Sequence, residues 1–403
     1  MCSCSTPQCH PQYQVSGFLQ KMGLQEVIVT DVILNALALY VYQGLDMSWE
    51  SVSLVDVISS NQMSNTNLLV MRCISLLIVF GVVYFMVTDK NPLVLRVPTP
   101  KDEMIEVNLL GLARLSPFTC WCWSLQVLYF SITVALGFAH KCKPELLAPG
   151  SLIGDQLWII TRVAWSAYEM SFAMSYLVTL AVTFILIPTA KKKGLPYDNF
   201  YKLFTLLMHN FNVLFMMLEL FFNRMPILIS HCILCFYWGY AYAFFSRYWY
   251  KLHGYFYYFF IDYHKPYAPL AIILLITVYS TLFVAGHYFD VAVTAKDGGE
   301  TKLESMVMVG ITLFIMKWPP VDKWYIVWDD CKYYFPILFD RKPSKSLFDY
   351  SRSKKVEGVV DERLPSSSSL QASIPKEANR SRSKSKSSPK KSAATRSSSR
   401  VRK

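Results

Sequence analysis

The chain contains 403 residues, of which 53% are hydrophobic and 17% are charged, and its formal net charge is +12. Soluble globular domains carry about 25% charged residues, and the apolar residues here come in long blocks rather than in alternating patterns. Composition therefore excludes an ordinary soluble domain and predicts an all-α, polytopic bundle of transmembrane helices. The ten cysteines do not indicate a disulfide-linked secreted fold, because no basic and apolar leader precedes them.

The first 66 residues form an N-terminal region before the predicted bundle. Its apolar stretch 26–42 carries Asp31 and Asn35, and we interpret it as an interfacial or additional helix. The cysteines near the start match no common zinc spacing, so we expect no metal and no other cofactor. For these thiols, S-acylation beside a membrane and the unmodified state are both open.

A bundle over residues 67–290 is predicted from six apolar blocks of about 20 residues, the length that crosses a hydrocarbon core of about 30 Å. The blocks are 68–87, 117–138, 166–188, 203–222, 226–246 and 267–288. Tryptophan and tyrosine residues lie near several block ends, as is typical of membrane interfaces. Arg72, near the start of the first block, is expected to extend its side chain toward an interface.

Lysine and arginine are distributed unequally between the short loops. The loops after the first, third and fifth blocks hold 11 of these residues, and the loops on the other side hold four. The positive-inside rule therefore predicts that the lysine-rich loops are cytosolic. Six spans alone would place the C-terminal end on the other side. Within the post-span segment 291–340, the apolar stretch 305–316 is expected either to cross back or to lie at the interface.

The C-terminal segment 341–403 holds 18 Lys and Arg residues against 5 Asp and Glu residues, a net charge of +13, so the rest of the chain is nearly neutral. The segment is rich in serine, lysine and arginine and poor in aromatic residues, a composition that cannot bury enough apolar surface to fold. We therefore expect a disordered tail. On a membrane protein, its charge favours contact with anionic lipid rather than with nucleic acid.

Four polar residues interrupt the fourth block. Among them, His209 and Asn212 are three residues apart and share one helical face. Histidine is the usual general base near neutral pH, and hydrogen bonding between helices is the alternative role. Glu219 comes near the end of the block and is expected to form a structural ion pair with Arg224, fixing the hairpin between the fourth and fifth spans.

Thr119 lies about one turn into the second block, in the stretch SPFTCWCWS. A threonine in a helix usually donates a hydrogen bond to the carbonyl four residues earlier, whereas a nucleophilic threonine needs a base within hydrogen-bond reach. His209 is the candidate base, although spacing alone does not show that the two side chains meet. No phosphate-binding glycine loop, nucleophile elbow or zincin motif is present.

Several stretches of residues 110–290 carry a resemblance to a known family: PFTCWCWSLQVLYF, HNFNVLFMMLELFFNR, the histidine His231, and HGYFYYFFID. Together they resemble the androgen-induced and androgen-dependent integral membrane proteins, which are distantly similar to the Rolling stone membrane proteins. Animal members of that family are threonine hydrolases that cleave fatty acid esters of hydroxy fatty acids. In one position the chain departs from them, because Phe259 follows Tyr258 where they usually have proline.

The resemblance implies that Thr119 is the nucleophile and that His209 is its base, and we expect Asn212 and Glu219 to support them. The expected function is an integral membrane hydrolase of lipid esters, in the endoplasmic reticulum or the plasma membrane. Its expected partners are membrane lipids and a lipid ester substrate. A non-enzymatic scaffold, adaptor or fusion-type protein of the same fold is the alternative.

Overall fold

The computed structural model describes residues 17–101, 103–151, 153–195, 197–294 and 301–336. These residues are predominantly helical, which confirms the predicted all-α class. The tail 341–403 and the cysteines near the start lie outside the described residues. The expected disorder of the tail and the state of these thiols therefore stay predictions.

In the described part of the chain, five helical segments are long and apolar enough to cross a membrane. They are Asn65–Thr88, Phe118–Cys142, Gly154–Lys192, Leu203–Phe222 and Ala268–Val293. The chain is thus a multi-pass membrane protein. The first two segments are α3 and α4, which follow the short α2 (Leu54–Ile58), and α10 (Ala268–Thr294) forms the last.

Two of these segments contain a π-helical turn. In the third, α5 (Leu157–Leu180) continues through a π-helix at Ala181–Leu186 into α6 (Ile187–Lys192). In the fourth, α7 (Leu203–Leu206) continues through a π-helix at Leu207–Phe211 into α8 (Asn212–Phe222). His209 and Asn210 lie within the second of these π-helices.

The predicted block 226–246 corresponds to α9, Cys232–His253, which does not belong to the five apolar segments. Its 22 residues are enough to cross a membrane, but its tyrosines, its tryptophans and Arg247 lower its mean hydropathy. Arg247 forms an ion pair with Asp31 of α1, Gly17–Gly44, which packs against α9 and α10. The apolar stretch that contains Asp31 and Asn35 is therefore part of a helix packed on the bundle.

One end of the bundle carries an antiparallel β-hairpin, which sequence analysis did not predict. It pairs β1 (Leu93–Pro98) with β2 (Met104–Leu109). The loops that follow α6 and α9 reach the same hairpin: Asn199 donates a hydrogen bond to the Val94 carbonyl at 3.3 Å, and the Lys265 ammonium donates to the Pro100 carbonyl at 3.1 Å. All three lysine-rich loops thus lie at one end, named here the hairpin end.

The chain after α10 returns to the hairpin end. Helix α11 (Thr301–Ile315) packs against α10 and α8. Helix α12 (Trp324–Tyr334) follows, and its Asp330 carboxylate accepts a hydrogen bond from the Leu203 amide at 2.8 Å. Because Leu203 begins the fourth segment at the hairpin end, the chain has come back to that end by α12.

A buried ion pair joins α3 to α8 and corrects two predictions. The guanidinium of Arg72 binds the Glu219 carboxylate, with Nη2 2.8 Å from Oε2, and Arg72 is only 1% exposed. The Tyr129 hydroxyl donates to the same carboxylate at 2.5 Å. Arg72 therefore does not extend to an interface. Glu219 does not pair with Arg224, because α3 brings a buried guanidinium closer, and Arg224 instead lies 3.7 Å from Asp56.

Close helix packing depends on glycine at one position of α10. A Cβ atom at Gly286 would lie 2.6 Å from Cε1 of the buried Phe172 ring, whereas a Cβ atom at Gly239 in α9 would meet nothing within 4 Å. We expect Gly286→Ala to be less stable than Gly239→Ala by about 1–3 kcal/mol, the usual cost of overpacking. Thermal unfolding in one detergent measures both variants. Equal midpoints would contradict this packing.

Candidate functional site

The site begins at the first turn of α4. Pro117 precedes the helix and Thr119 is its second residue, so no earlier turn of α4 offers its hydroxyl a carbonyl. Thr133, further along the same helix, instead donates to the Tyr129 carbonyl at 3.0 Å. The Thr119 hydroxyl oxygen Oγ1 lies 3.4 Å from Nε2 of His209. The structure therefore brings together the two residues that the sequence singled out as nucleophile and base.

His209 reaches Thr119 from the π-helix that precedes α8. Its side chain is largely buried, and its second ring nitrogen, Nδ1, has no hydrogen-bond partner among the described residues. The ring also interacts with the backbone of Thr205, four residues earlier. In the part of the chain that the structure describes, no carboxylate forms a hydrogen bond or an ion pair with the ring.

The backbone around His209 is held from neighbouring helices. The Thr179 hydroxyl of α5 donates to the His209 carbonyl at 2.5 Å and is 3.2 Å from the Asn212 side-chain oxygen. The Gln126 amide of α4 donates to the Asn212 carbonyl at 3.1 Å. Among the described residues, Asn212 forms no hydrogen bond with the imidazole. It instead links α4, α5 and α8 beside the ring. Neither Thr179 nor Gln126 stands out in the sequence, because the hydrogen-bond partners of both side chains lie on another helical segment.

Asn210 fixes the same π-helix from its other side. Its side-chain amide donates to the Lys317 carbonyl at 2.8 Å and accepts from the Lys317 amide at 3.0 Å. This two-point contact ties the segment after α11 to the turn that carries His209. The segment that returns the chain to the hairpin end therefore also supports the position of the imidazole.

A tyrosine from the loop after α9 completes the surroundings of Thr119. Gly254 ends α9 with φ of 79°, a left-handed conformation that glycine adopts without strain, and turns the chain into the loop. Burial raises the pKa of the Tyr258 phenol, and hydrogen bonding from Thr119 opposes part of this increase. The resemblance had marked the stretch around Tyr258 without assigning it a role.

The other candidate residues lie elsewhere in the bundle. Glu219 is ten residues beyond His209, about 15 Å along the helix axis, and is engaged with Arg72. His231 contacts the Glu169 carboxylate through Nδ1 at 2.5 Å and the Met47 carbonyl through Nε2 at 2.7 Å. Both ring nitrogens of His231 are therefore occupied by structural contacts. Over the described residues, no group of histidine, cysteine and acidic side chains could hold a metal ion.

The fold and this site define a class of protein, a multi-pass helical membrane protein with a threonine–histidine pair near one end of its bundle. Comparisons with known protein families, with curated proteins and with solved structures find no match to the chain. The resemblance noted from its motifs therefore remains a prediction, and the geometry of the site is the basis for a functional proposal.

Proposed function

We propose that the protein is a membrane hydrolase of lipid esters in which Thr119 is the nucleophile and His209 is the general base. The observation that carries this proposal is the 3.4 Å separation of Thr119 Oγ1 and His209 Nε2. Hydrogen-bonded nucleophile and base side chains are the signature of nucleophilic catalysis, and the contact is often longer in a resting enzyme than in its reacting complex.

The reaction takes place in two steps. His209 Nε2 takes the proton of the Thr119 hydroxyl while Oγ1 attacks the ester carbonyl carbon. The tetrahedral intermediate then collapses, the ester C–O bond breaks, and the leaving alkoxide takes the proton from Nε2. Water attacks the resulting acyl-threonine with the same base, releasing the fatty acid and restoring Thr119.

The position of the pair suits a substrate with an apolar body and a polar ester. Thr119 is half-buried in the first turn of α4, close to the loops of the hairpin end. An acyl chain could lie in the bilayer while the ester stays near water.

Labelling with a fluorophosphonate lipid probe tests the proposal in purified, full-length protein. We expect the wild-type protein to be labelled and to hydrolyse fatty acid esters of hydroxy fatty acids, and Thr119→Ala to lose both properties. Thr133→Ala is the matched control in the same helix, since its hydroxyl donates only to backbone carbonyls of α4. Labelling and turnover that persist in Thr119→Ala would contradict the assignment. An inactive, unlabelled wild-type protein would favour the scaffold alternative.

A further inference from the structure

The end of α11 contacts both π-helical turns described above. Thr183, in the π-helix of the third segment, donates a hydrogen bond from its hydroxyl to the Ile315 carbonyl at 2.8 Å. Asn210, in the π-helix of the fourth segment, binds the backbone of Lys317. π-Helical turns are rare, and they occur frequently at functional sites. Three consecutive residues, 315–317, are thus joined to both of these turns, one of which carries the proposed base.

The Asn210 side chain is suited to hold one backbone position. An asparagine carboxamide carries a donor and an acceptor side by side. Here the nitrogen donates to the Lys317 carbonyl at 2.8 Å, and the oxygen accepts from the Lys317 amide at 3.0 Å. Asn210 is only 2% exposed, so removing the carboxamide would leave two backbone groups of Lys317 without these bonds in a buried place, which is costly.

The position of His209 depends on this contact because His209 and Asn210 are adjacent in one turn. Thr119 Oγ1 and His209 Nε2 are 3.4 Å apart, close to the longest separation at which a hydrogen bond forms. A shift of the turn by about 1 Å would carry the imidazole out of reach, and a misplacement of that size can lower a rate about 100-fold. The Thr179 hydroxyl fixes one point of the turn, at the His209 carbonyl, and Asn210 fixes a second.

We propose that Asn210 is a positioning residue of the ester hydrolase, which holds the base His209 at the nucleophile by binding the backbone of Lys317. This inference rests on the proposed function. Asn210 takes no part in proton transfer or in bond formation, and its effect on the reaction passes through the imidazole alone. The end of α11 is then part of the catalytic assembly, although α11 supplies no reacting group.

Comparing Asn210→Leu with Thr183→Val tests the inference. Each change keeps the branched shape of its side chain and removes the hydrogen bonds to residues 315–317. We expect Asn210→Leu to lower kcat about 10–100-fold with little change in KM, because the base is misplaced while substrate binding is intact. Thr183→Val should keep kcat within about threefold, since Thr183 lies in the other π-helix. Asn210→Ala carries the same expectations if Asn210→Leu does not fold.

A double variant shows whether Asn210 acts through the base. Once His209 is replaced, the loss of Asn210 should have no further effect, so His209→Gln, Asn210→Leu should match His209→Gln in kcat within about twofold. A residue that only stabilises the fold would not show this dependence on His209. A kcat loss in the double variant that equals the product of the two single losses would overturn the positioning role.

Hydrogen–deuterium exchange of the peptide that contains residues 204–224 provides a measurement independent of turnover. We expect faster exchange in Asn210→Leu than in the wild-type protein or in Thr183→Val. Unchanged exchange would overturn the inference, and so would a kcat of Asn210→Leu within threefold of an active wild-type enzyme. An equal loss of kcat in Thr183→Val would overturn it as well, because a general loosening of α11 would explain both losses.

The failure of the proposed function has a different result. A wild-type protein with neither turnover nor probe labelling would overturn the hydrolase and the positioning role together. An active, labelled wild-type enzyme with any of the contrary results for Asn210→Leu would overturn the positioning role and leave the hydrolase in place.

Discussion

Replacing Glu219 by alanine is expected to lower the free energy of unfolding by about 3–5 kcal/mol, the usual result of removing one partner of a buried ion pair. The carboxylate is fully buried and accepts two bonds from Arg72 Nε, at 3.0 and 3.2 Å, in addition to the contact from Nη2. Its removal leaves the guanidinium charged, desolvated and bound only to neutral oxygens of Val57 and Tyr129. Arg72→Ala should destabilise the fold for the same reason.

Arg224→Ala provides the matched control for this prediction. Arg224 is 40% exposed and lies 3.7 Å from Asp56, so its loss should cost less than about 1 kcal/mol. The double variant Arg72→Met, Glu219→Leu removes both charges and should recover much of the stability lost in either single variant. Thermal unfolding in detergent measures all four proteins. A Glu219→Ala midpoint equal to that of Arg224→Ala would show that the buried pair contributes little.

Replacing His209, the proposed general base, is expected to cause a large loss of activity. His209→Gln keeps a polar side chain of similar length but cannot accept the proton, and it should lower kcat about 10²–10⁴-fold, the range for loss of a general base. If the two residues act as a unit, Thr119→Ala, His209→Gln should be no less active than Thr119→Ala alone. The rates are measured under single-turnover conditions with a fatty acid ester.

His253→Gln is the control for this substitution. His253 is the last residue of α9 and is exposed, and its ring packs against Trp249 with the ring centroids 4.1 Å apart. Its replacement should leave kcat within about twofold, because no part of the proposed reaction reaches it. Equal losses of kcat in His209→Gln and His253→Gln would contradict the assignment of His209 as base. A loss of kcat in the double variant Thr119→Ala, His209→Gln that equals the product of the two single losses would contradict it as well.

The membrane helices could be predicted from sequence because hydrocarbon thickness imposes a local rule. An apolar block of about 20 residues is visible in the sequence itself, and the block 203–222 matches the helical segment Leu203–Phe222. The β-hairpin went unpredicted, although Met104–Leu109 alternates between apolar and polar residues in the manner of a strand. The strand pattern of a short hairpin is weak compared with the long apolar blocks on either side. The register of the hairpin also depends on its turn, which composition alone does not specify.

The site could be predicted only in part, since its contacts join residues that are distant in the chain. Residue chemistry and a motif resemblance singled out Thr119 and His209, but their 90-residue separation left their meeting open until the structure placed them together. The predicted partner of Glu219 was wrong for the same reason. Arg224 lies close to Glu219 in the sequence, whereas Arg72, its partner in the structure, is 147 residues away. Thr179 and Gln126, which hold the backbone around His209, carry no sequence signal of that role because their partners lie on other helices.

The central claim, that Thr119 is the covalent nucleophile, is tested most directly by locating the adduct on the protein. Wild-type protein is treated with the fluorophosphonate lipid probe, digested, and analysed by mass spectrometry for the modified peptide. We expect a single adduct on the Thr119 hydroxyl, which forms more slowly in His209→Gln and at an unchanged rate in Thr133→Ala. An adduct on any other residue, or an unmodified Thr119 in protein that still hydrolyses the ester, would contradict it.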